Sequence, residues 1–356
     1  MKTPSVRPLF STLRFEDRSL MQYKNSDFIK WYNIEYMDIK ELLKRTTLRI
    51  PLERYLSVLQ QEFPQIRLIQ ECQPILEGYE DVNIILNTDS GRYVLKIFAK
   101  FRSEKNILNY IKIIHEASKI GVQTLELVQS QTGKDYFFYE NTYSIVTKYF
   151  EGENFVETPP TFDEILQVTK NLAKLNTLDF DVDATYDSWG SNNLLNEYFN
   201  TKVKNEEVKK EILPIINFLE EFDTYKFSRG VIHGDMQRKH VLKNSTKLCI
   251  IDYGCMRNDL KVYDLSIFLA WFCLGEENWE EREKIFNSVI DEYIKINPLA
   301  NSEIESLNPL ITASYAAYYL KTQELLEQGD KSKDTLDWNN SAKDLYRKSL
   351  IWSNIK

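Results

Sequence analysis

Apolar positions along this chain follow two different periods, and the switch between them divides it. From Pro51, which suits a first helical turn, Leu52, Leu56, Leu59 and Phe63 fall on one helical face. Alternation then takes over: residues 82–86, 93–98, 135–139 and 143–149 read as strands, with Asp89, Ser90 and Gly91 as the turn of a hairpin. One helix interrupts them over about 103–119, where Ile107, Leu108, Ile111 and Ile114 share a side. Beyond Glu151-Gly152 the helical period dominates, over 162–178, 193–222, 278–296, 308–328 and 341–355. Inside that half, the apolar runs 240–242 and 248–251 are joined by the polar turn Asn244-Ser245-Thr246, which predicts a second hairpin.

The pattern describes an α+β chain of two lobes. Residues 1–50, aromatic and mixed in charge without a clean period, form an N-terminal extension. Residues 51–151 form a small lobe built on an antiparallel sheet, and 152–356 a larger, mostly helical one. At 356 residues, with 43% hydrophobic and 28% charged, both lobes can bury a core. With 45 Lys and Arg against 53 Asp and Glu the net charge is -8, which disfavours nucleic acid as a partner and leaves a cationic or neutral substrate open. The four cysteines are scattered without a C-x-x-C pair, no apolar run reaches the roughly 18 residues of a membrane span, and the N-terminus lacks a continuous apolar core. A cytoplasmic protein without a membrane partner is expected; no oligomeric state is specified.

Chemistry concentrates in one segment. Two of the three histidines, His233 and His240, lie within eight residues of each other around Asp235. Val231-Ile232-His233-Gly234-Asp235 sets a carboxylate just after an apolar strand, and Asp252 closes the next apolar run, so a hairpin brings both acids into one cleft. Phosphoryl transfer uses two such acids. One orients or accepts the proton of the attacking hydroxyl, and the other holds a divalent ion on the phosphates.

The order His233-Gly234-Asp235, then Ile250-Ile251-Asp252-Tyr253-Gly254, then Tyr263-Asp264-Leu265 resembles the superfamily of aminoglycoside phosphotransferases, homoserine kinases and choline kinases, distant relatives of protein kinases. The resemblance runs from about residue 64 to 270. It implies a bilobal protein-kinase-like fold and an ATP-dependent transfer to a hydroxyl of a small-molecule acceptor. It implies Asp235 as base with His233 beside it in the catalytic motif, Asp252 as principal metal ligand, and Asp264 as a buried brace of the catalytic loop. Mg²⁺ is the expected ion. At position 240 the family pattern has a metal-binding asparagine and this chain has His240, so Mn²⁺ use and a single-ion mechanism are both open. A nucleotide-binding protein without catalysis, a pseudokinase, is the alternative.

The same resemblance implies a strand lysine for the nucleotide phosphates and a helix glutamate to hold it. Lys96 fits the first role, sharing one face of its strand with Val94 and Phe98. Glu104, near the start of the helix, is assigned the second. The phosphate-covering loop is placed at residues 77–83 around Gly78, and the interlobe hinge at Lys148 and Tyr149, whose backbone would meet adenine. On the acceptor side, Trp271, Tyr315, Tyr318, Tyr319 and Trp338 offer aromatic surface for a cationic amine, although aromatics at helical spacing usually serve the core. The acids of 276–283 read as helix-start residues.

Overall fold

The computed structural model describes residues 39–353 except Glu77 and Tyr79. Most of the expected extension, residues 1–38, lies outside them. Residues 39–50 belong to the small lobe: Ile39, Leu42 and Leu48 are buried in its core, and Thr46 forms a β-bridge with Ala99. The packed unit therefore starts before Pro51. The pattern missed this because a single short helical turn carries too few apolar positions to show a period.

Helix α1 (Leu52–Glu62) lays Leu52, Tyr55, Leu56 and Leu59 against a five-stranded antiparallel sheet. The sheet comprises β1 (Ile69–Ile75), β2 (Val82–Thr88), β3 (Gly91–Ile97), β4 (Phe137–Tyr139) and β5 (Thr142–Lys148), in the order β1-β2-β3-β5-β4. Strand β1 went unmarked in the sequence because it shows no clean alternation and contains Pro74. An edge strand tolerates both, since one side of its ladder needs no partner. The β2–β3 register pairs Asn83 with Lys96, and β5 sets Ile145 opposite Lys96 from the other side, so the lysine sits mid-sheet.

Helix α2 (Glu104–Lys119) opens on a capping box, Ser103 accepting from the Asn106 amide while the Asn106 side chain accepts from the Ser103 amide. Its buried face, with Ile107, Tyr110, Ile111 and Ile114, joins the core of the large lobe rather than that of the sheet. Although α2 falls between strands of the small lobe in sequence, it ties the two lobes together.

The large lobe contains α3 (Phe162–Leu175), α4 (Leu194–Asn200), α5 (Glu206–Glu221), α6 (Lys261–Phe268), α7 (Arg282–Tyr293), α8 (Asn301–Glu327) and α9 (Lys333–Ser353). The single helix expected over 193–222 is two, because Asn205 accepts from the Glu207 amide and starts α5 afresh. Three short strand pairs carry the site: β7 (Arg229–Ile232) with β10 (Arg257–Leu260), and β8 (Val241–Lys243) between β9 (Leu248–Ile250) and β6 (Glu153–Asn154). The expected second hairpin is β8–β9, and its turn is fixed by the Asn244 side chain accepting from the Thr246 and Lys247 amides. Among the described residues no helix is long and apolar enough to cross a membrane, and Cys72, Cys249, Cys255 and Cys273 are free thiols.

Truncating Ile39, only 1% exposed, should remove about 2–5 kcal/mol of stability as a core isoleucine does. Exposed Lys40→Ala should change it by less than about 0.5 kcal/mol. Urea denaturation of the two variants checks this; equal, negligible effects would place residues 39–50 outside the lobe.

Candidate active site

The loop after β7 holds His233, Gly234 and Asp235, and one buried carboxylate fixes it from behind. Asp264, on α6, accepts the His233 amide through Oδ2 at 2.8 Å and the Gly234 amide through Oδ1 at 2.9 Å. Asn176 donates to the same Asp264 Oδ2 (2.8 Å) and to the Val231 carbonyl (3.1 Å), and it accepts from the Tyr293 hydroxyl at 2.7 Å. A loop carbon atom's width matters here too. Gly234 has φ +80°, and a Cβ there would lie 2.6 Å from the Cys255 carbonyl oxygen, so glycine is required on both counts.

His233 turns inward. It is fully buried, its Nε2 donates to the Ile251 carbonyl (3.1 Å), and its Nδ1 accepts the Asp235 amide (3.2 Å). Both ring nitrogens are committed to backbone, so the expected catalytic-motif histidine positions the loop against the strand that leads to Asp252. Asp235 itself faces the cleft, with Oδ1 accepting from the Gln237 amide group, which also contacts the Tyr318 hydroxyl.

Asp252 follows β9 in a left-handed conformation, φ 61° and ψ 67°, a strained state that acids tolerate better than most residues. Its Oδ1 accepts from Lys96 Nζ at 3.3 Å and its Oδ2 lies 3.6 Å from His240 Nε2. Burial works against the Asp252 charge, but Lys96 and then His240 outweigh it and hold the carboxyl well below its usual range. Burial likewise pushes His240 down toward the neutral ring, with Asp235 opposing. His240 Nδ1 is 2.7 Å from the Asp235 carbonyl oxygen and 3.4 Å from Asp235 Oδ2, so the imidazole stands between the two acids.

The partner of Lys96 is not the expected one. Lys96 Nζ lies 3.2 Å from Asp81 Oδ2, at the end of the loop before β2. Burial lowers the tendency of Lys96 to hold its proton, yet Asp252, Tyr110 and Asp81 together keep the ammonium firmly charged. Glu104 is exposed and bonds the Tyr143 side chain instead. It sits in the first turn, where the helix has not yet come over the sheet; Tyr110, nearly two turns on, is what α2 presents to Lys96, with Nζ 5.3 Å from its ring centre. Asp81 also accepts from the Ala99 amide (2.9 Å) and from Arg102 Nε (2.8 Å). Arg102 reaches on to Glu80 (2.5 Å) and to the Gly254 carbonyl (3.0 Å), linking the loop before β2 to the Asp252 turn. Burial, opposed by Arg102, pushes the Glu80 carboxyl up to about 7. An acid at the start of a strand that carries a buried lysine opposite was the signal for Asp81.

Gly78, φ +98°, turns the loop between β1 and β2, and its carbonyl accepts from Arg45 at 2.8 Å; its neighbours Glu77 and Tyr79 lie outside the described residues. At the hinge, the Lys148 amide donates to Glu126 O (2.8 Å) and the Tyr149 amide to Arg92 O (3.0 Å). Of the backbone groups expected to meet adenine, these two amides are thus already bonded to the protein's own carbonyls.

On the far side of Asp235, Tyr315 and Tyr319 are core residues, as helical spacing suggested. Tyr318 is different: it gathers Trp189, Trp271 and Trp338 at ring-centre distances of 5.2, 4.5 and 5.7 Å, beside Gln237. Asp187, two residues before Trp189, is raised by burial and by the nearby Asp235 charge. Trp271 belongs to a π-helical turn, Leu269–Cys273, an irregularity common at functional sites.

A sequence model described as the phosphotransferase enzyme family matches residues 71–288, more than half of the chain. The chain is 23% identical over 241 residues to the homoserine kinase of Methylobacillus flagellatus, covering 65% of this chain and 73% of that protein. It is 22% identical over 298 residues to that of Bartonella tribocorum, covering 80% and 89%. Among solved structures, an amicoumacin kinase bound to AMP-PNP and Ca²⁺ aligns with a TM-score of 0.67 at 15% identity, over 87% of this chain and 96% of that one. A choline kinase from Cryptosporidium parvum aligns at 0.60 and 15%, over 86% and 98%. The fold is the bilobal, protein-kinase-like α+β fold of these phosphotransferases.

Asp81→Ala should cost about 3–5 kcal/mol, because it leaves Lys96 and Arg102 as buried cations short of a partner. Glu104→Gln should stay within about 0.5 kcal/mol. Chemical denaturation reads both; the reverse order would return the lysine's support to the helix.

Proposed function

We propose that this chain, which belongs to the phosphotransferase enzyme family and is by class a small-molecule hydroxyl kinase, transfers the terminal phosphoryl group of ATP to an amino alcohol. The observation that carries the reading is the pair Asp235 and Asp252 on either side of His240, with the loop that leads to Asp235 fixed from behind by Asp264. Asp235 receives the acceptor: its carboxylate orients the hydroxyl and takes its proton as the new P–O bond forms and the bond to ADP breaks. Gln237 holds Oδ1 of that carboxylate, which aims the acid without neutralising it. Lys96, kept charged by Asp81 and Asp252, is the cation that aligns the phosphates.

The residues present fit a divalent ion. Asp252 and His240 each turn a donor atom toward the same gap. Among the described residues no three His, Cys, Asp or Glu side chains converge as a complete nest, so phosphate oxygens would complete the shell. Such an ion, Mg²⁺ or Mn²⁺, supplies charge neutralisation on the phosphates when bound.

Support for an amino alcohol comes from both sides of the comparison. The relatives are named as homoserine and choline kinases. The acceptor side of this site has Tyr318 with three tryptophans and the carboxyl of Asp187, surfaces that suit an ammonium group. Four free thiols accord with a cytoplasmic setting.

Purified protein with labelled ATP and a panel of amino alcohols should show transfer, and Asp235→Asn should lower kcat by about 10²–10⁴ with its thermal midpoint retained. Undiminished turnover by that variant sinks the assignment of the base. Nucleotide binding without transfer to any member of the panel favours the pseudokinase reading.

A further inference from the structure

The two substrates of the proposed reaction would meet separate stretches of chain, and residues 102–106, which lead into α2, touch both. On the nucleotide side, the loop expected to cover the phosphates contains Glu80 and Asp81, whose carboxylates meet the Arg102 guanidinium at 2.5 and 2.8 Å. On the acceptor side, Asp187 and Trp189 sit in residues 179–190, a stretch that is neither helix nor strand. It has no backbone ladder of its own. Side chains from other elements therefore decide where it lies.

The large lobe holds the two ends of that stretch. Asn258 accepts from the Val182 amide at 2.7 Å and donates to the Phe180 carbonyl at 2.9 Å, and Asn193 donates to the Asp187 carbonyl at 2.8 Å. Between these ends the chain hangs from the start of α2. Asn106 Nδ2 donates to the Asp183 carbonyl oxygen at 2.6 Å and to Asp183 Oδ2 at 3.1 Å, Lys105 adds an exposed ion pair to Asp183 at 3.3 Å, and Arg102 Nη1 donates to the Thr185 hydroxyl at 3.4 Å. The Arg102 side chain, only 4% exposed, also donates to the Gly254 carbonyl at 3.0 Å. One guanidinium thus holds Glu80, Asp81, Thr185 and Gly254 together. Its planar fork fixes the directions of all its N–H groups, so a shift of the two carboxylates is passed to the other two partners.

We propose, on the phosphotransferase reading above, that Arg102 and Asn106 are positioning residues shared by the two substrate sites: nucleotide that settles the loop of Glu80 and Asp81 fixes residues 183–189 through them and so improves the acceptor site. Neither residue touches a reacting atom. Their effect is a coupling between two sites, and by linkage the acceptor tightens nucleotide binding by the same factor. The start of α2, counted with the small lobe by sequence, is thereby a determinant of acceptor binding.

The test uses the full chain and AMP-PNP with Mg²⁺, and it needs no acceptor. Hydrogen exchange read by mass spectrometry should show nucleotide slowing two regions, the peptide around Glu80 and Asp81 and the peptide over residues 180–190, the second by about fivefold or more. Asn106→Asp keeps the capping box, because its carboxylate still accepts from the Ser103 amide, but it loses the donor to Asp183 and repels that side chain. Arg102→Lys keeps the charge and loses the fork. In both variants nucleotide should still protect the first region and leave residues 180–190 within about twofold of their free rate. Protection of the first region alone in the parent overturns the proposal, as does protection of residues 180–190 that survives both substitutions. Should the buried Arg102→Lys fail to fold, Asn106→Asp decides. Failure of the parent to bind AMP-PNP in calorimetry would overturn the phosphotransferase reading itself and this proposal with it, so nucleotide binding tells the two failures apart.

Discussion

The site depends first on the Asp264 carboxylate. It is fully buried, and its two oxygens take three N–H groups: the amides of His233 and Gly234 and the side chain of Asn176. A buried carboxylate is costly unless its lone pairs are met, and backbone amides are equally costly unless accepted, so each solves the problem of the other. Because those amides immediately precede that of Asp235, satisfying Asp264 sets where the Asp235 carboxylate emerges. Asn176 carries the constraint outward, to Val231 at the end of β7 and to Tyr293 on α7. The loop that carries Asp235 is thus anchored to three separate elements of the large lobe.

A second set of charges joins this loop to the sheet. Lys96 touches both Asp81 of the small lobe and Asp252 of the large one, while Arg102 connects Asp81 and Glu80 to the carbonyl of Gly254. These contacts lie where α2, whose apolar face packs into the large lobe, meets the strands of the small one. With Tyr110 rather than a carboxylate facing Lys96 from α2, the lysine is held from the loop before β2. The consequence is mechanical as well as electrostatic. Movement of that loop and placement of the lysine are linked through one side chain, Asp81.

Much of this was legible in the sequence, and the misses have physical causes. Strand β2 alternates because one face lies on a core, β3 and β5 show as apolar runs because they are buried on both faces, and the hairpin turns carry Gly or Asn where the chain must reverse. The order of the Asp235, Asp252 and Asp264 motifs carried the family resemblance, which the match over residues 71–288 bears out. Strand β1 escaped because an edge strand need not alternate and can hold Pro74. Glu104 was chosen by its place in the chain, whereas contact with Lys96 depends on which residue α2 turns toward the sheet. His233 shared a motif with Asp235, and motif membership does not say which way a ring points; its two nitrogens bind backbone. That the hinge amides of Lys148 and Tyr149 are taken by Glu126 and Arg92 was not legible either, since those partners come from elsewhere in the chain.

The charge balance of the centre bears on the order of binding. Two permanent cations, Lys96 and Arg102, stand among four carboxyl groups, Glu80, Asp81, Asp235 and Asp252, and both cations are already paired. A triphosphate entering alone would add several negative charges to a buried place where Lys96 and Arg102 already face carboxylates, a cost that rises as the local dielectric falls. The gap between Asp252 Oδ2 and His240 Nε2 is where that imbalance can be met, and the two donors supply too few ligands to hold a divalent ion firmly by themselves. Neither nucleotide nor ion is well accommodated without the other. In the proposed function their binding is coupled: the ion would bring the charge that the phosphates need, and the phosphates the oxygens that the ion needs.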